Sequence, residues 1–172
     1  HRAGHEVWLH LPMEATGGEN PGPGAVTVDM ESDDVRMAIH SALNSVPHAV
    51  GVNNHMGSRA TADLRTMTWL MQELSVLDVA FLDSRTTVRT VAEDAARSQG
   101  VPTGRRHVFL DNDRDRAAIE AQLDEAVYTA RSTGEAVAIG HLNRAMLEVL
   151  EDQLPTIQGR GIELVPPSRL MQ

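Results

Sequence analysis

The stretch Gly4–Glu14, GHEVWLHLPME, sets an imidazole at His10 and a carboxylate at Glu14, four residues apart, where an apolar run ends. Both are ordinary zinc ligands, and a catalytic zinc keeps one position open for water. Two further apolar runs close on histidine: VGVNNHMGS with His55 and AVAIGH with His141. One strand-end histidine means little; three suggest a shared rim. A neutral imidazole at such a rim can bind metal or serve as a general acid or base near neutral pH. Structural uses compete at each position. His10 can cap a strand with Glu14 solvated, His55 can belong to an Asn-rich turn, and His141 can cap the next helix.

Two more runs end alike, in Phe-Leu-Asp: FLDSRT at Asp83 and FLDND at Asp111. Each precedes a helical pattern, so a helix N-cap or an Asx turn is the structural alternative. For Asp111 and Asp113 that alternative is preferred. For Asp83 the adjacent Arg85 can hold a carboxylate in its charged form, which leaves function and structure level. Ser58, Ser84 and Thr86 lack a GxSxG context, so a serine hydrolase is not indicated. The Gly-rich stretch Gly17–Gly24 lacks the GxxxxGK[ST] pattern of a phosphate cradle. His1, His5, His40, His48 and His107 lie away from the strand ends that matter.

Composition narrows the partners. The chain has 172 residues and a formal charge of −9, with no Lys/Arg-rich run. That argues against nucleic acid and against an anionic membrane surface. Aromatic residues are 3% of the chain, so a stacking platform for sugars or bases must be sparse. There is no cysteine, which removes disulfides, thiolate metal sites and thiol nucleophiles. No apolar stretch approaches the roughly 20 residues of a membrane span, so no membrane insertion is expected.

The elements that must position these residues alternate between strand and helix. Strands are expected at Glu6–Leu11, Ala49–Asn54, Ala80–Asp83, His107–Asp111, Ala136–Gly140 and Ile162–Val165. Most are continuous apolar runs, as in a parallel sheet buried on both faces. Helices are expected at Asp33–Val46, Asp63–Leu77, Val88–Gln99, Asp115–Ser132 and Ala145–Gln158. Ser32 or Asp33 would cap the first, Thr61 or Asp63 the second, and Pro155 would break or kink the last. The segment Ala15–Ala25 is a loop by composition and follows the His10/Glu14 signal directly. Strand then helix, repeated with short links, marks an α/β fold, and a parallel barrel and an open doubly wound sheet both fit. The first strand starts almost at His1, so the chain reads as the C-terminal part of a single domain spanning residues 1–172.

Taken together, GHEVWLHLPME, VNNHMGS, FLDSRT, VFLDN, AIGH and the closing IELVPPSRL resemble the divergent polysaccharide deacetylase family. They span nearly the whole chain in order. The resemblance implies the deformed (β/α) barrel of polysaccharide deacetylases, mostly parallel and here incomplete at the N-terminus, with a preceding strand ending in Asp-Asp. It implies a divalent metal, zinc for preference, and hydrolysis of acetyl groups from an N-acetylated envelope glycan or a small acetylated substrate. His10 matches the first histidine of the His-x-x-x-His metal motif. Glu14 falls where the second would be, so either Glu14 or His55 replaces it. Asp83 falls near a supporting acid, and His141 at the late strand-end histidine that acts as general acid. Asn54, Ser84 and Arg85 stand beside them as candidate substrate contacts. A periplasmic or secreted location follows from such a substrate. The alternative is a non-catalytic periplasmic module on the same fold that binds glycan or protein.

Overall fold

The computed structural model describes residues 1–172, which divide into two compact units. The first comprises residues 1–105 with Met171 and Gln172, the second residues 106–170. The expectation of one domain therefore meets a chain with two centres of packing, each with its own apolar core.

The first unit is a four-stranded parallel sheet in the order β1-β2-β3-β4, formed by Val7–Met13, Ala49–Met56, Ala80–Asp83 and Thr103–Arg105. Its helices are α1 (Ser32–Ser45), α2 (Leu64–Leu77) and α3 (Ala92–Ser98). Period-two alternation divides the faces of the sheet. Leu9, Leu11 and Met13 of β1, Val52 of β2 and Phe81 of β3 join Val35, Ile39, Met67, Leu70, Met71 and Leu74 of the helices in the core. Burying each such side chain contributes about 1.5–3 kcal/mol. The residues between them, Trp8, His10 and Pro12 on β1 and Gly51, Asn53 and His55 on β2, fall on the opposite face. There the Trp8 ring lies so close over Gly51 that a Cβ at position 51 would meet it at 2.3 Å.

Asp63 caps α2 by accepting from Thr66 N, as expected. For α1 the cap is Glu31, one residue earlier than expected, in a reciprocal capping box with Asp34. The helix expected over Val88–Gln99 begins only at Ala92, because Thr90 is drawn to Asp83 and Ala92 N donates back to the Thr90 hydroxyl. β4 was not among the expected strands: it is three residues long, contains Gly104 and follows Pro102, so it carries no apolar run. Thr103 there exchanges backbone hydrogen bonds with Gln172.

The second unit pairs two short parallel strands, β5 (Val108–Phe109) and β6 (Ala138–Ile139), with α4 (Arg116–Thr133) and α5 (Arg144–Gly159). Ile119, Leu123, Ala126 and Val127 of α4 meet Met146, Val149 and Ile157 of α5. Pro155 does not end α5, which runs four residues further. Ile162–Val165 is not a strand; Ile162 packs against this core from an irregular segment. Neither unit holds a helix long and apolar enough to cross a membrane.

Candidate functional site

In the first unit the site grows from the register of β1 on β2, which sets His10 beside Asn53 and Pro12 beside His55. His10 Nδ1 lies 3.1 Å from Asn53 Oδ1, and His10 Nε2 lies 3.0 Å from His55 Nδ1. The two imidazoles meet edge to face, 4.9 Å between centroids. Asn53 in turn donates through Nδ2 to Ser84 Oγ at 3.1 Å, just past the end of β3. His55, His10, Asn53 and Ser84 thus form one continuous chain of side-chain contacts, with His10 exposed and Ser84 buried.

The backbone around this chain is held in sparsely populated conformations. Met56, Gly57 and Arg85 all have positive φ, at 55°, 91° and 49°. For non-glycine residues such angles are strained and persist only where surrounding bonds enforce them. Here Met56 O accepts from both Asn54 Nδ2 and Thr86 Oγ1, and Ser84 N donates to Asn54 Oδ1. Gly57 turns the chain where a Cβ would sit 3.0 Å from Met13 Cβ.

Several expected site residues serve this scaffold. Glu14 does not join the imidazoles: one carboxylate oxygen takes Arg59 Nη1 at 2.6 Å and the other takes Val28 N at 2.9 Å. Its backbone oxygen also accepts from Arg59 and Ala60. It bolts the turn after His55 and the segment near Val28 onto the end of β1, which runs two residues further than expected. Asn54 is 1% exposed with its amide committed on both sides, so it is a clamp rather than a substrate contact. Asp83 is also 1% exposed and falls on the helix side of β3. It accepts from Arg85 N at 2.7 Å and from Thr90 Oγ1 at 2.8 Å, and so closes the loop after β3. Burial pushes its carboxyl above the ordinary value, opposed by those two hydrogen bonds and by the Arg85 charge. A buried acid so engaged is not placed to exchange protons with a substrate. Arg85 is half-buried, next to Ser84.

The second unit holds a separate arrangement. β5 and β6 pair with Phe109 opposite Ile139, so the residues two further on, Asp111 and His141, emerge side by side. Asp111 has no exposed side-chain surface, while the His141 side chain is 60% exposed. Asp111 accepts from His141 N at 3.0 Å, from His141 Nδ1 at 3.3 Å and from Asn143 Nδ2 at 3.1 Å. Asn143 caps α5 through Met146 N. The carboxylate fixes the ring by Nδ1 and leaves Nε2 as the working nitrogen, the logic of a carboxylate–imidazole pair in acid–base catalysis. Sequence reasoning passed over Asp111 as a turn residue. The signal was present in the equal spacing of two neighbouring strand ends.

No group of three or more His, Asp or Glu side chains in this chain stands close enough to hold a metal ion. The two imidazoles alone fit part of such a site. In tetrahedral zinc with bonds of about 2.0–2.1 Å, ligand nitrogens stand ~3.3 Å apart; His10 Nε2 and His55 Nδ1 are 3.0 Å apart. A hydrogen bond from the far nitrogen of a ligating histidine to an oxygen is the usual supporting contact, and Asn53 gives it to His10.

The family model for divergent polysaccharide deacetylases matches residues 1–171. The chain belongs to this family. It is 40% identical over 171 residues to the uncharacterized protein YibQ of Escherichia coli (strain K12), covering 99% of this chain and 53% of that protein. It is 38% identical to an uncharacterized protein of Haemophilus influenzae, covering 94% of this chain and 58% of that one. The chain thus spans just over half the length of these relatives. The crystal structure of an uncharacterized protein of Agrobacterium tumefaciens C58 superposes with a TM-score of 0.95 at 27% identity, over 99% of this chain and 70% of the other. The fold class expected from the sequence, the mostly parallel α/β class to which the deformed barrels of polysaccharide deacetylases belong, is the one found. In this member of the divergent polysaccharide deacetylase family, His10 has an imidazole partner, and that partner is His55.

Proposed function

We propose that this protein contributes to metal-dependent hydrolysis of acetyl groups on an N-acetylated glycan of the cell envelope, acting in the periplasm or outside the cell. The observation that carries this reading is the imidazole pair: two nitrogens 3.0 Å apart on adjacent parallel strands, one ring oriented by an amide oxygen. His10 and His55 would hold a divalent metal, zinc for preference. Such an ion, when bound, lowers the pKa of water to about 7 and polarises the acetyl carbonyl. Asn53 and Ser84 keep the His10 ring in place. Trp8, whose ring lies close against Gly51 on the same face, would supply apolar surface for a sugar ring. The family resemblance gives His141 the task of protonating the leaving amine, and Asp111 suits it by binding Nδ1 and leaving Nε2 to donate.

One observation favours a second reading, a non-catalytic glycan- or protein-binding module. Glu14, which stands where the motif would have its second histidine, is spent on Arg59 and Val28. The deciding experiment uses full-length protein purified without chelator. Metal content and acetate release from chitooligosaccharides and peptidoglycan fragments are measured for wild type and His10→Ala. The hydrolase reading expects stoichiometric metal and acetate release, both lost in the variant. Absence of stoichiometric zinc, nickel, cobalt or manganese, with the variant unchanged in both assays, overturns it and leaves the binding module.

A further inference from the structure

Two side chains, Asp111 and Asn143, engage every polar group of His141 except Nε2. His141 N donates to Asp111 Oδ1 at 3.0 Å, and His141 O accepts from Asn143 Nδ2 at 3.2 Å. The ring Nδ1 stands 3.3 Å from both oxygens of the carboxylate. Asn143 closes the circle, because its Nδ2 also donates to Asp111 Oδ2 at 3.1 Å. The orientation of that amide is fixed. Its Oδ1 lies 3.0 Å from Met146 N, and a backbone N–H can only donate. Its NH2 is therefore turned to a carboxylate and a carbonyl, which accept. Glycine at 140 lets the strand end come this close: a Cβ there would stand 3.3 Å from Asp111 Oδ1.

We propose that Asn143 is a positioning residue for His141: its oxygen caps α5 while its NH2 holds the Asp111 carboxylate, so the helix sets the direction of the imidazole. His141 lies on the short link between β6 and α5, and its side chain is 60% exposed. The neighbouring Phe109 ring, 5.5 Å away between centroids, gives it no hydrogen bond. The contacts at Nδ1 are long for N–H···O bonds and are shared between two oxygens, so the ring follows the plane of the carboxylate. That plane is held at Oδ1 by His141 N and at Oδ2 by Asn143. Without the NH2, Oδ2 is a buried acceptor short of a donor, which favours turning the carboxylate toward water and away from the ring. The clasp stands on geometry; its use in protonating a leaving amine rests on the hydrolase reading above.

The test separates the cap from the clasp. Asp caps a helix about as well as Asn, and Gly only slightly less well, yet neither can donate to Asp111 as Asn does. Asn143→Asp and Asn143→Gly are made in full-length protein with 15N-labelled histidine, with backbone amide spectra confirming that α5 is kept. Two-bond proton–nitrogen correlation spectra are recorded at a pH about two units above the usual imidazole value, and His141→Gln assigns the ring. Wild-type His141 is expected to show protonated-type Nδ1 and bare-type Nε2. Both variants should move it toward a tautomer mixture, Asn143→Asp further because two carboxylates then face each other. With chitooligosaccharides, kcat for acetate release should fall about 10-fold at unchanged KM, less than the roughly 10²–10⁴-fold of a whole general acid. Ring signals and kcat both as in wild type overturn the proposal and leave Asn143 a helix cap. Wild-type His141 carrying its hydrogen on Nε2 overturns it too, as does a fall in kcat with the ring signals unchanged, because the effect would not run through Asp111. If wild type releases no acetate while both variants shift the ring signals, the hydrolase reading falls and the positioning of His141 by Asn143 stands.

Discussion

The chain holds two imidazole centres, one in each unit, and they are held by different acceptors. His10 rests on the neutral amide of Asn53, itself braced by Ser84. His141 rests on the buried carboxylate of Asp111. Both oxygens stand at Nδ1 of their ring. Their charge differs. An amide oxygen orients a ring without adding charge, which suits a ring that lends its lone pair to a cation. A carboxylate can neutralise an imidazolium, which suits a ring that carries a proton in transit. The same side chain meets a neutral oxygen in one unit and a charged one in the other.

The largest effects come from removing a centre outright. On the metal-dependent hydrolase reading, His10→Ala should take bound metal and acetate release to background. Asp111→Asn should leave metal content intact and lower acetate release by about 10²–10⁴-fold, the range of a general acid–base contribution. An amide can present its NH2 to His141 Nδ1 and invert the tautomer. If Asp111→Asn instead lowers metal content and spares turnover, the assignment of donor and metal-holding roles to the two units is wrong.

A smaller effect tests the amide side of the comparison. Asn53→Ala removes the oxygen that orients His10 and should weaken metal affinity about 10–100-fold, as loss of a supporting hydrogen bond does. Asn53→Asp should restore most of that affinity, because the acceptor returns. Isothermal titration with zinc reads both. Equal affinities for wild type and Asn53→Ala would mean that the Asn53–His10 contact does not prepare the ring.

Much of this was legible in the amino-acid sequence. The three histidines at the ends of apolar runs are functional candidates still, and two of them touch. The apolar runs at 49–54 and 80–83 became strands because little else can bury so many consecutive Val, Ala, Leu and Phe residues. What the sequence could not carry was side-chain direction. Asp83 and Ser84 are neighbours, yet alternation sends one to the helix layer and the other to the imidazole chain. Nor could it carry register: Asn53 and Asp111 matter because parallel pairing sets them beside His10 and His141, across 43 and 30 residues of sequence. Glu14 misled because spacing four residues from His10 matched a motif, while its partner, Arg59, is brought in by the turn after β2.

Glu14 sharpens the contrast between a residue that holds metal and one that holds the scaffold. Glu14→Ala should cost about 1–3 kcal/mol of stability, since Val28 N and the Arg59 guanidinium lose their charged acceptor. The loss should be at the lower end, because Arg59 is half exposed to solvent and can be rehydrated. Zinc affinity should fall far less than in His10→Ala. Urea denaturation and zinc titration on one sample separate the two, and a fall in affinity equal to that of His10→Ala would return Glu14 to the ligand set.

Asp83 gives the subtlest test, because it differs from Asp111 only in what surrounds it. Both are strand-end aspartates after Phe-Leu, and both are buried. Asp83 meets no imidazole; burial raises its pKa above the ordinary 3.8, with Arg85 N and Thr90 Oγ1 pulling the other way. The folded state therefore holds this proton to higher pH than the unfolded chain does. The stability linked to it is present below the unfolded value and is lost as pH rises through the folded one. Asp83→Asn removes that titration. Its Oδ1 still accepts from Arg85 N, and its NH2 can donate to Thr90 Oγ once the hydroxyl turns. Relative to wild type, the variant should therefore gain in unfolding free energy as pH is raised from below 3.8 toward neutrality, measured by urea denaturation across the series. A difference that stays flat with pH would mean that the Arg85 and Thr90 hydrogen bonds cancel the cost of burial, and that Asp83 is as well provided for as Asp111.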